Sequence, residues 1–239
     1  MIESLLLTTV RISTFAAQRG LTNATGFFFE TGDALQLITC RHVVLDEPSQ
    51  HRPDRIEIEL HTDRLDLGQS TGFSIPLYRN GMSVWRESND GAGMVDVAAI
   101  DIDRAALPDT ATLAAFGPRH LPAPGAHVDI GTSLLAMGYP LGFEDSLHHL
   151  PVARQASLAS SYGLRFKGKG YFLIDARTHR GISGAPVVMR DPAAGTALPW
   201  RLLGVHSSRL EAFSRDPEQD EILGLNAVWY ADVLRTLQA

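Results

Sequence analysis

A serine set among small residues stands in the second half of the chain, and its neighbourhood suits a nucleophile. Ser183 lies two residues after Gly181 and directly before Gly184, in a tight turn that leads into the apolar run from Ala185 to Met189. Small neighbours let backbone N–H groups point beside the hydroxyl, as an oxyanion hole requires. The sequence therefore predicts Ser183 as a nucleophile and the amides of Gly181 and Ser183 as oxyanion donors. A plain Gly-Ser turn is the alternative interpretation.

Serine is a weak nucleophile alone and needs a neighbouring base. His42 follows the apolar run that ends at Thr39 and precedes two valines, which suits a ring at a strand end beside a cleft. Asp96 lies among apolar residues, where an unpaired carboxylate is costly to bury, and a histidine N–H would offset that cost. We expect His42 to act as the base and Asp96 to orient it. A core histidine bonded to a backbone carbonyl is the alternative for His42.

Taken together, in the order His, Asp, Ser, these segments resemble the trypsin-like serine protease superfamily in its bacterial form without disulfides. The matching stretches are Thr25-Gly26-Phe27-Phe28, Thr39-Cys40-Arg41-His42-Val43, Asp96-Val97-Ala98, and the HtrA-type turn Gly138-Tyr139-Pro140-Leu141-Gly142. The resemblance implies a catalytic triad of His42, Asp96 and Ser183 in a cleft between two barrels. The sequence departs from the pattern at Ala185, where many relatives have glycine, and at Arg180, where HtrA-type chains often carry proline. We expect a protease domain without the PDZ module of HtrA-type chains.

Short alternating runs separated by Gly and Pro predict an all-β fold, with a strand at residues 55–61 and a hairpin whose tip lies at Gly32-Asp33. The Pro- and Gly-rich stretch from Gly117 to Gly125 divides the chain near its middle. We therefore expect two six-stranded antiparallel barrels with a cleft between them, over residues 1–117 and 118–239. The first would carry His42 and Asp96, and the second Ser183. Helical periodicity near the end predicts a C-terminal α-helix formed around Val228, Ala231, Val233, Leu234 and Leu237.

The substrate pocket is expected to lie beside the nucleophile. Residues 204–208 resemble the corresponding strand of glutamyl endopeptidases and exfoliative toxins, where a histidine and a threonine hold a substrate carboxylate. His206 and Thr178 occupy those two positions, and Arg177 and Ser207 lie next to them. The resemblance implies a preference for Glu, or less often Asp, before the scissile bond. Alternatively, His206 packs in the barrel and the pocket is generic.

Composition limits the other classes of function. The net charge of −6 and the lack of a basic block argue against nucleic-acid binding. Cys40 is the only cysteine, which excludes an intramolecular disulfide and a cysteine metal cluster and favours a reducing compartment. The chain also lacks a signal-peptide pattern and an apolar run long enough to span a membrane. We expect a cytoplasmic enzyme with no cofactor and no metal, acting on peptides or proteins.

Two other functions stay open at this stage. The chain could be a catalytically latent or inactive module that binds peptides or proteins, or a hydrolase of narrow range such as an esterase or toxin-like enzyme. Latency would call for an activating protein partner or for loop ordering. The polar stretches at residues 145–151 and 211–221 are the predicted mobile loops.

Overall fold

The computed structural model describes residues 2–210 and 223–237, so that the predicted loop at 211–221 lies outside the described residues. The described residues form mostly antiparallel strands, as predicted. None of their helices has the length and apolar character needed to cross a membrane.

The first half of the chain builds one seven-stranded sheet, in the order β5-β4-β1-β2-β3-β9-β8. A separate two-stranded ribbon joins β6 to β7. The strands are β1 (Thr9–Ala16), β2 (Arg19–Thr31), β3 (Ala34–Thr39), β4 (Arg55–His61), β5 (Ser70–Pro76), β6 (Tyr78–Arg79), β7 (Met82–Ser83), β8 (Trp85–Asp90) and β9 (Gly93–Ile102). One turn of helix, α1 (Arg41–Val44), follows β3.

The second half forms a closed six-stranded barrel, in the order β10-β11-β12-β15-β14-β13. Its strands are β10 (Ser133–Gly138), β11 (Val152–Leu158), β12 (Tyr171–Asp175), β13 (Pro186–Arg190), β14 (Trp200–Arg209) and β15 (Leu225–Tyr230). A short helix, α2 (Val233–Thr236), ends the described chain. Six 3-10 turns complete the regular structure of the described residues, at Ser4–Thr8, Arg104–Ala106, Pro118–His120, Pro140–Gly142, Phe166–Gly168 and Pro192–Ala194.

The alternation in the sequence explains how the strands bury one face. In β4, Ile56, Ile58 and Leu60 are buried while the charged residues between them are partly exposed. The predicted hairpin around Gly32 is confirmed, because β2 and β3 pair from Phe27 with Ile38 to Thr31 with Ala34. Its apolar residues lie at the centre of the core.

The structure differs from expectation in two details. The N-terminal half has seven strands in its sheet where six were expected, because both β5 and β8 extend it at its ends. The C-terminal helix is shorter than the periodicity suggested. Val228 belongs to β15, where it pairs with Phe172 of β12, so that barrel pairing overrides the local helical pattern. The domain boundary at residue 117 stays a prediction, although the strands of the sheet precede it and those of the barrel follow it.

Candidate active site

His42 is held at the end of β3 by its neighbours. Val43 and Val44 are buried and anchor the single turn of α1, and Cys40 before it is fully buried. The imidazole faces solvent instead, and 38% of the His42 side chain is exposed. The apolar residues that made a core histidine plausible are therefore the residues that present this ring to a cleft.

Asp96 lies on β9 and accepts three hydrogen bonds. The backbone N–H of His42 donates to Oδ1 at 2.9 Å, and the His42 ring nitrogen Nδ1 lies 2.8 Å from Oδ2. The hydroxyl of Ser207 donates to Oδ2 at 2.6 Å. Burial raises the pKa of Asp96, but the hydrogen bonds and the charge of His42, together with the Ser207 hydroxyl, outweigh burial and lower it. The carboxyl group is therefore ionised at neutral pH.

The contact between Asp96 and His42, which lowers the pKa of Asp96, raises the pKa of His42. Burial lowers the pKa of His42, but the hydrogen bond and negative charge of Asp96, with a smaller contribution from Asp46, raise it above the ordinary histidine value. Because an ionised Asp96 can only accept at Nδ1, that nitrogen carries the proton in the neutral ring. The lone pair of Nε2 is then available to accept a proton.

Ser183 and His42 line one cleft of about 890 Å³. The Ser183 hydroxyl donates to the carbonyl of Ser207 at 3.0 Å, not to the imidazole. Catalytic hydrogen bonds often tighten only when substrate binds. The structure thus brings His42 and Ser183 to one cleft and Asp96 to the His42 ring, with the Ser183 hydroxyl bonded to Ser207.

The loop before Ser183 is fixed through its carbonyl groups. Thr25 of β2 donates its hydroxyl to Gly181 O at 2.8 Å and its backbone N–H to Ser183 O at 2.9 Å. The carbonyl of Arg180 accepts from Leu141 N–H at 2.5 Å. No described residue accepts a hydrogen bond from the amides of Gly181 or Ser183. Because the neighbouring carbonyls are bonded to other residues, the amides of Gly181 and Ser183 can both donate hydrogen bonds to an oxyanion.

Glycine is required on both sides of this serine. Gly181 has a φ of +93°, and a Cβ there would lie 2.5 Å from Tyr139 O. Gly184 has a φ of +89°, and its Cβ would lie 2.1 Å from Thr25 O. These are backbone conformations and contacts that side chains do not tolerate. Ala185, in contrast, is accommodated fully buried where many relatives have glycine.

The predicted pocket residues Thr178 and His206 converge on a residue that sequence reasoning missed. Asn226 on β15 accepts from Thr178 Oγ1 at 2.5 Å, and its Oδ1 lies 3.2 Å from His206 Nε2. Its Nδ2 donates to the carbonyls of Ala176 and Gly224, each at 2.8 Å, which fixes the orientation of the amide. An asparagine inside an otherwise apolar strand was the available signal, because a buried amide needs partners.

His206 is neutral in this setting. Burial lowers its pKa to about 4, against the raising effect of the bond to Asn226. Its Nδ1 is buried and has no hydrogen-bond partner among the described residues. The ring therefore contributes a neutral N–H donor at Nε2.

Two expected pocket residues lie elsewhere. Ser207 directs its hydroxyl to Asp96, so that it supports the acid and does not join Thr178 and His206. Arg177 is exposed, and its carbonyl accepts from the guanidinium of Arg154 at 3.0 and 2.8 Å. Only Thr178 and His206 are thus brought together as predicted.

One group of potential metal ligands overlaps this site. Sγ of Cys40 and ligand atoms of His42 and Asp96 lie within 4.8 Å of one another. Burial, followed by the charge of Asp96, raises the pKa of the Cys40 thiol, which donates instead to His206 O at 3.2 Å. Metals bind the thiolate, so this chemistry does not suit a metal centre.

Comparison with known proteins agrees with the fold. The chain aligns with the serine endoprotease from Yersinia pestis at 15% identity and a TM-score of 0.55, over 97% of this chain and 61% of that one. It aligns with the active form of the Rv3671c protease from M. tuberculosis at 17% identity and a TM-score of 0.53, over 98% of this chain and 80% of that one. A search of curated protein sequences finds no match.

The match to a family model goes further than the fold. Residues 24–195, most of the chain, match the model for the trypsin-like peptidase domain. The matched region contains His42, Asp96 and Ser183 together with the turn from Gly138 to Gly142. The chain therefore belongs to the family of trypsin-like peptidase domains.

Proposed function

We propose that this protein is a serine endopeptidase in which Ser183 is the nucleophile, His42 the base and Asp96 the acid that orients the base. The observation that carries the proposal is the bond between His42 Nδ1 and Asp96 Oδ2 at 2.8 Å, beside a serine whose own amide is unpaired among the described residues. A histidine so held is in the tautomer that a general base requires.

The proposed reaction uses only groups of this chain. His42 Nε2 takes the Ser183 proton as Oγ attacks the amide carbonyl, and the amides of Gly181 and Ser183 stabilise the oxyanion. The imidazolium, stabilised by Asp96, then gives its proton to the leaving amine as the C–N bond breaks. Water, deprotonated by His42, attacks the acyl-enzyme, and the imidazolium returns that proton to Ser183 Oγ as the ester bond breaks and the acid leaves. No cofactor enters this scheme.

Labelling by a fluorophosphonate, read by intact mass, tests the nucleophile. We expect a single adduct on the wild type and on Ser133→Ala, a control at an exposed serine of β10. Ser183→Ala should give no adduct, and His42→Ala should react far more slowly. An adduct on Ser183→Ala would reject Ser183 as the nucleophile.

A second candidate function is a latent or inactive module that binds peptides or proteins. The observation in its favour is the bond from Ser183 Oγ to Ser207 O, which leaves the hydroxyl without the base as partner. In that case the isolated wild type takes up no probe, and labelling appears only with an activating protein partner or not at all. Labelling of the isolated chain would exclude it.

We further propose that the residue before the scissile bond is Glu, or less often Asp. Thr178 and His206 are both nearly fully buried and both direct donors at one oxygen, Oδ1 of Asn226. A substrate carboxylate, as a charged acceptor, would compete well for those donors. It would also raise the pKa of His206 from its low value, since a nearby negative charge favours the imidazolium.

Peptides that differ only before the scissile bond test this preference. We expect the Glu peptide to be cleaved about tenfold faster than its Gln counterpart, and the ratio to fall in Thr178→Val, which keeps the shape and loses the hydroxyl. Thr110→Val, an exposed threonine, is the matched control. Equal cleavage after Glu, Leu and Lys would reject the acidic pocket.

The proposal also covers the substrate class and the cellular compartment. The substrate class is peptides or proteins, as the family implies. A reducing compartment such as the bacterial cytoplasm suits a chain whose one cysteine is buried and free. Fractionation of the native host with an antibody to the chain would test that location.

A further inference from the structure

Two arginines line the catalytic cleft without a counter-charge. Arg19 begins β2 and Arg180 directly precedes Gly181, and both line the cleft that holds His42 and Ser183. Both are exposed, and neither side chain makes a hydrogen bond or ion pair with any described residue. Some other exposed arginines of the described chain do form ion pairs, as Arg104 does with Glu30.

The position of these arginines relative to Ser183 identifies the part of a substrate they would meet. None of the four expected pocket residues, Arg177, Thr178, His206 and Ser207, lines this cleft. It is lined instead by β2, by His42 with the turn after α1, and by the turn at Pro140–Gly142. Because it includes Ser183 but none of those four residues, we infer that the cleft receives the part of the substrate after the scissile bond. On that side His42 delivers its proton to the leaving amine.

The wall formed by β2 can orient a peptide along this cleft. Residues 19–24 all line it. They belong to the part of β2 that pairs with β1, whereas pairing with β3 begins only at Phe27. The other edge of residues 19–24 is thus open to an added strand, a common mode of peptide recognition. A substrate extended along this edge passes from Ser183 towards Arg19.

The charges around the cleft favour an acidic ligand. Among the described residues that line the cleft, Asp46 is the one carboxylate, and it already accepts a hydrogen bond from Ser49. His51 places its Nε2 3.0 Å from the carbonyl of Val43. Within the described part of the chain, two guanidinium groups without an ion pair against one carboxylate make the lining net positive. Arginine is also the side chain best suited to bind a carboxylate with two parallel hydrogen bonds.

We propose that Arg180 and Arg19 select substrates with Asp or Glu among the first three residues after the scissile bond. The inference rests on the proposed function, because it takes Ser183 and His42 as the reacting groups. It adds a second determinant of specificity, separate from Thr178 and His206. An acidic residue nearest the scissile bond would meet Arg180, beside the oxyanion loop, and one further along would meet Arg19.

Paired peptides test this assignment. Each pair shares the residue before the scissile bond and has either Asp and Glu or Asn and Gln after it. At about 20 mM salt we expect kcat/KM to favour the acidic peptide by about three- to tenfold, since exposed ion pairs each contribute a factor of roughly 1.4 to 5. The preference should shrink strongly at about 0.5 M salt, where such pairs are screened.

Charge variants assign the effect to residues. Arg180→Gln and Arg19→Gln should each reduce the acidic-to-amide ratio, and Arg180→Glu should reverse it in favour of peptides with Lys after the bond. Arg79→Gln, at an exposed arginine of β6 outside the cleft, should keep the wild-type ratio. A ratio near one in the wild type, or a ratio unchanged in both Gln variants, would overturn the proposal.

A binding measurement separates this inference from the proposed function. Fluorescence anisotropy of the same labelled peptides on Ser183→Ala needs no turnover. If the wild type neither labels nor cleaves, yet Ser183→Ala still prefers the acidic peptides, the catalytic proposal fails and only the selection of acidic ligands by the cleft arginines stands. If the wild type cleaves but neither assay distinguishes acid from amide, the catalytic proposal stands and the arginine proposal fails.

Discussion

Ser207 Oγ lies 2.6 Å from Oδ2 of Asp96, the same oxygen that lies 2.8 Å from the His42 ring. The carbonyl of Ser207 meanwhile accepts the hydroxyl of Ser183 at 3.0 Å. One residue of β14 in the barrel thus contacts both the acid on β9 and the proposed nucleophile. It positions two members of the proposed triad without belonging to it.

Replacing Ser207 by alanine should weaken catalysis by way of Asp96. The change removes a hydrogen bond to a charged group, worth about 1.5–3 kcal/mol. We expect kcat/KM to fall about tenfold or more and the pKa of Asp96 to rise. Steady-state kinetics measure the first effect and carboxyl NMR shifts the second. Ser133→Ala should match the wild type in both, and an unchanged Asp96 pKa in Ser207→Ala would contradict the assigned contact.

The pH profile should report His42. A base must be unprotonated, and the pKa of His42 is raised above its usual value, chiefly by Asp96 acting against burial. Activity should therefore be low in acid and rise with pH, with a midpoint in kcat/KM above about 6.5.

In Asp96→Asn the negative charge that raises the pKa of His42 is lost, so that burial lowers this pKa. Turnover should drop about 10⁴-fold, as in other triads. Imidazole NMR titration of both proteins checks the shift even without turnover; a pKa that rises in Asp96→Asn would refute it.

Asn226 should matter for stability as well as for the pocket. It is fully buried and donates to two carbonyls while accepting from Thr178 and His206. Asn226→Leu removes the partner of the Thr178 hydroxyl, the His206 N–H and the Ala176 carbonyl, at about 1–3 kcal/mol for each buried group left unsatisfied, whereas the Gly224 carbonyl keeps the Ala176 N–H. We expect a loss of at least about 3 kcal/mol in the free energy of unfolding, measured by urea denaturation. Asn89→Leu, at an exposed site on β8, should change it by less than about 0.5 kcal/mol.

Two glycines with positive φ allow backbone strain to be separated from steric contact. Gly184 and Gly32 have φ of +89° and +57°. A Cβ at Gly184 would lie 2.1 Å from Thr25 O, whereas a Cβ at Gly32 would have no atom within 4 Å. Gly32→Ala should cost about 1 kcal/mol of stability. Gly184→Ala should cost at least 2 kcal/mol more and reduce fluorophosphonate labelling, because the oxyanion loop must shift. Equal losses in the two variants would argue against the close contact.

The sequence predicted those features that depend on local pattern. Alternation identified β4, and the Gly32 turn identified the β2–β3 hairpin, because a buried face and a tight turn each leave a signal within a few residues. The cost of burying Asp96 predicted a histidine partner, and the His42 ring lies there. Their catalytic roles remain predictions that the labelling and pH experiments address.

Features that depend on distant pairing could not be inferred in the same way. Val228 fits a helical period, yet it pairs with Phe172 across the barrel. Ser207 sits beside His206 in the chain, but successive strand residues point to opposite faces, which sends its hydroxyl to Asp96. Arg19 and Arg180 are far apart in sequence, and only the packing of the sheet against the barrel places both on one cleft.

Thr25 bonds to the carbonyls on either side of Ile182, and it belongs to the other half of the molecule. The amides of Gly181 and Ser183, proposed to bind the oxyanion, therefore belong to the barrel, whereas the sheet fixes the loop that carries them. Each half made separately should lack a working oxyanion site, however well it folds. A bound partner or a distant core substitution that tilts one half against the other would therefore shift the proposed oxyanion site by way of Thr25.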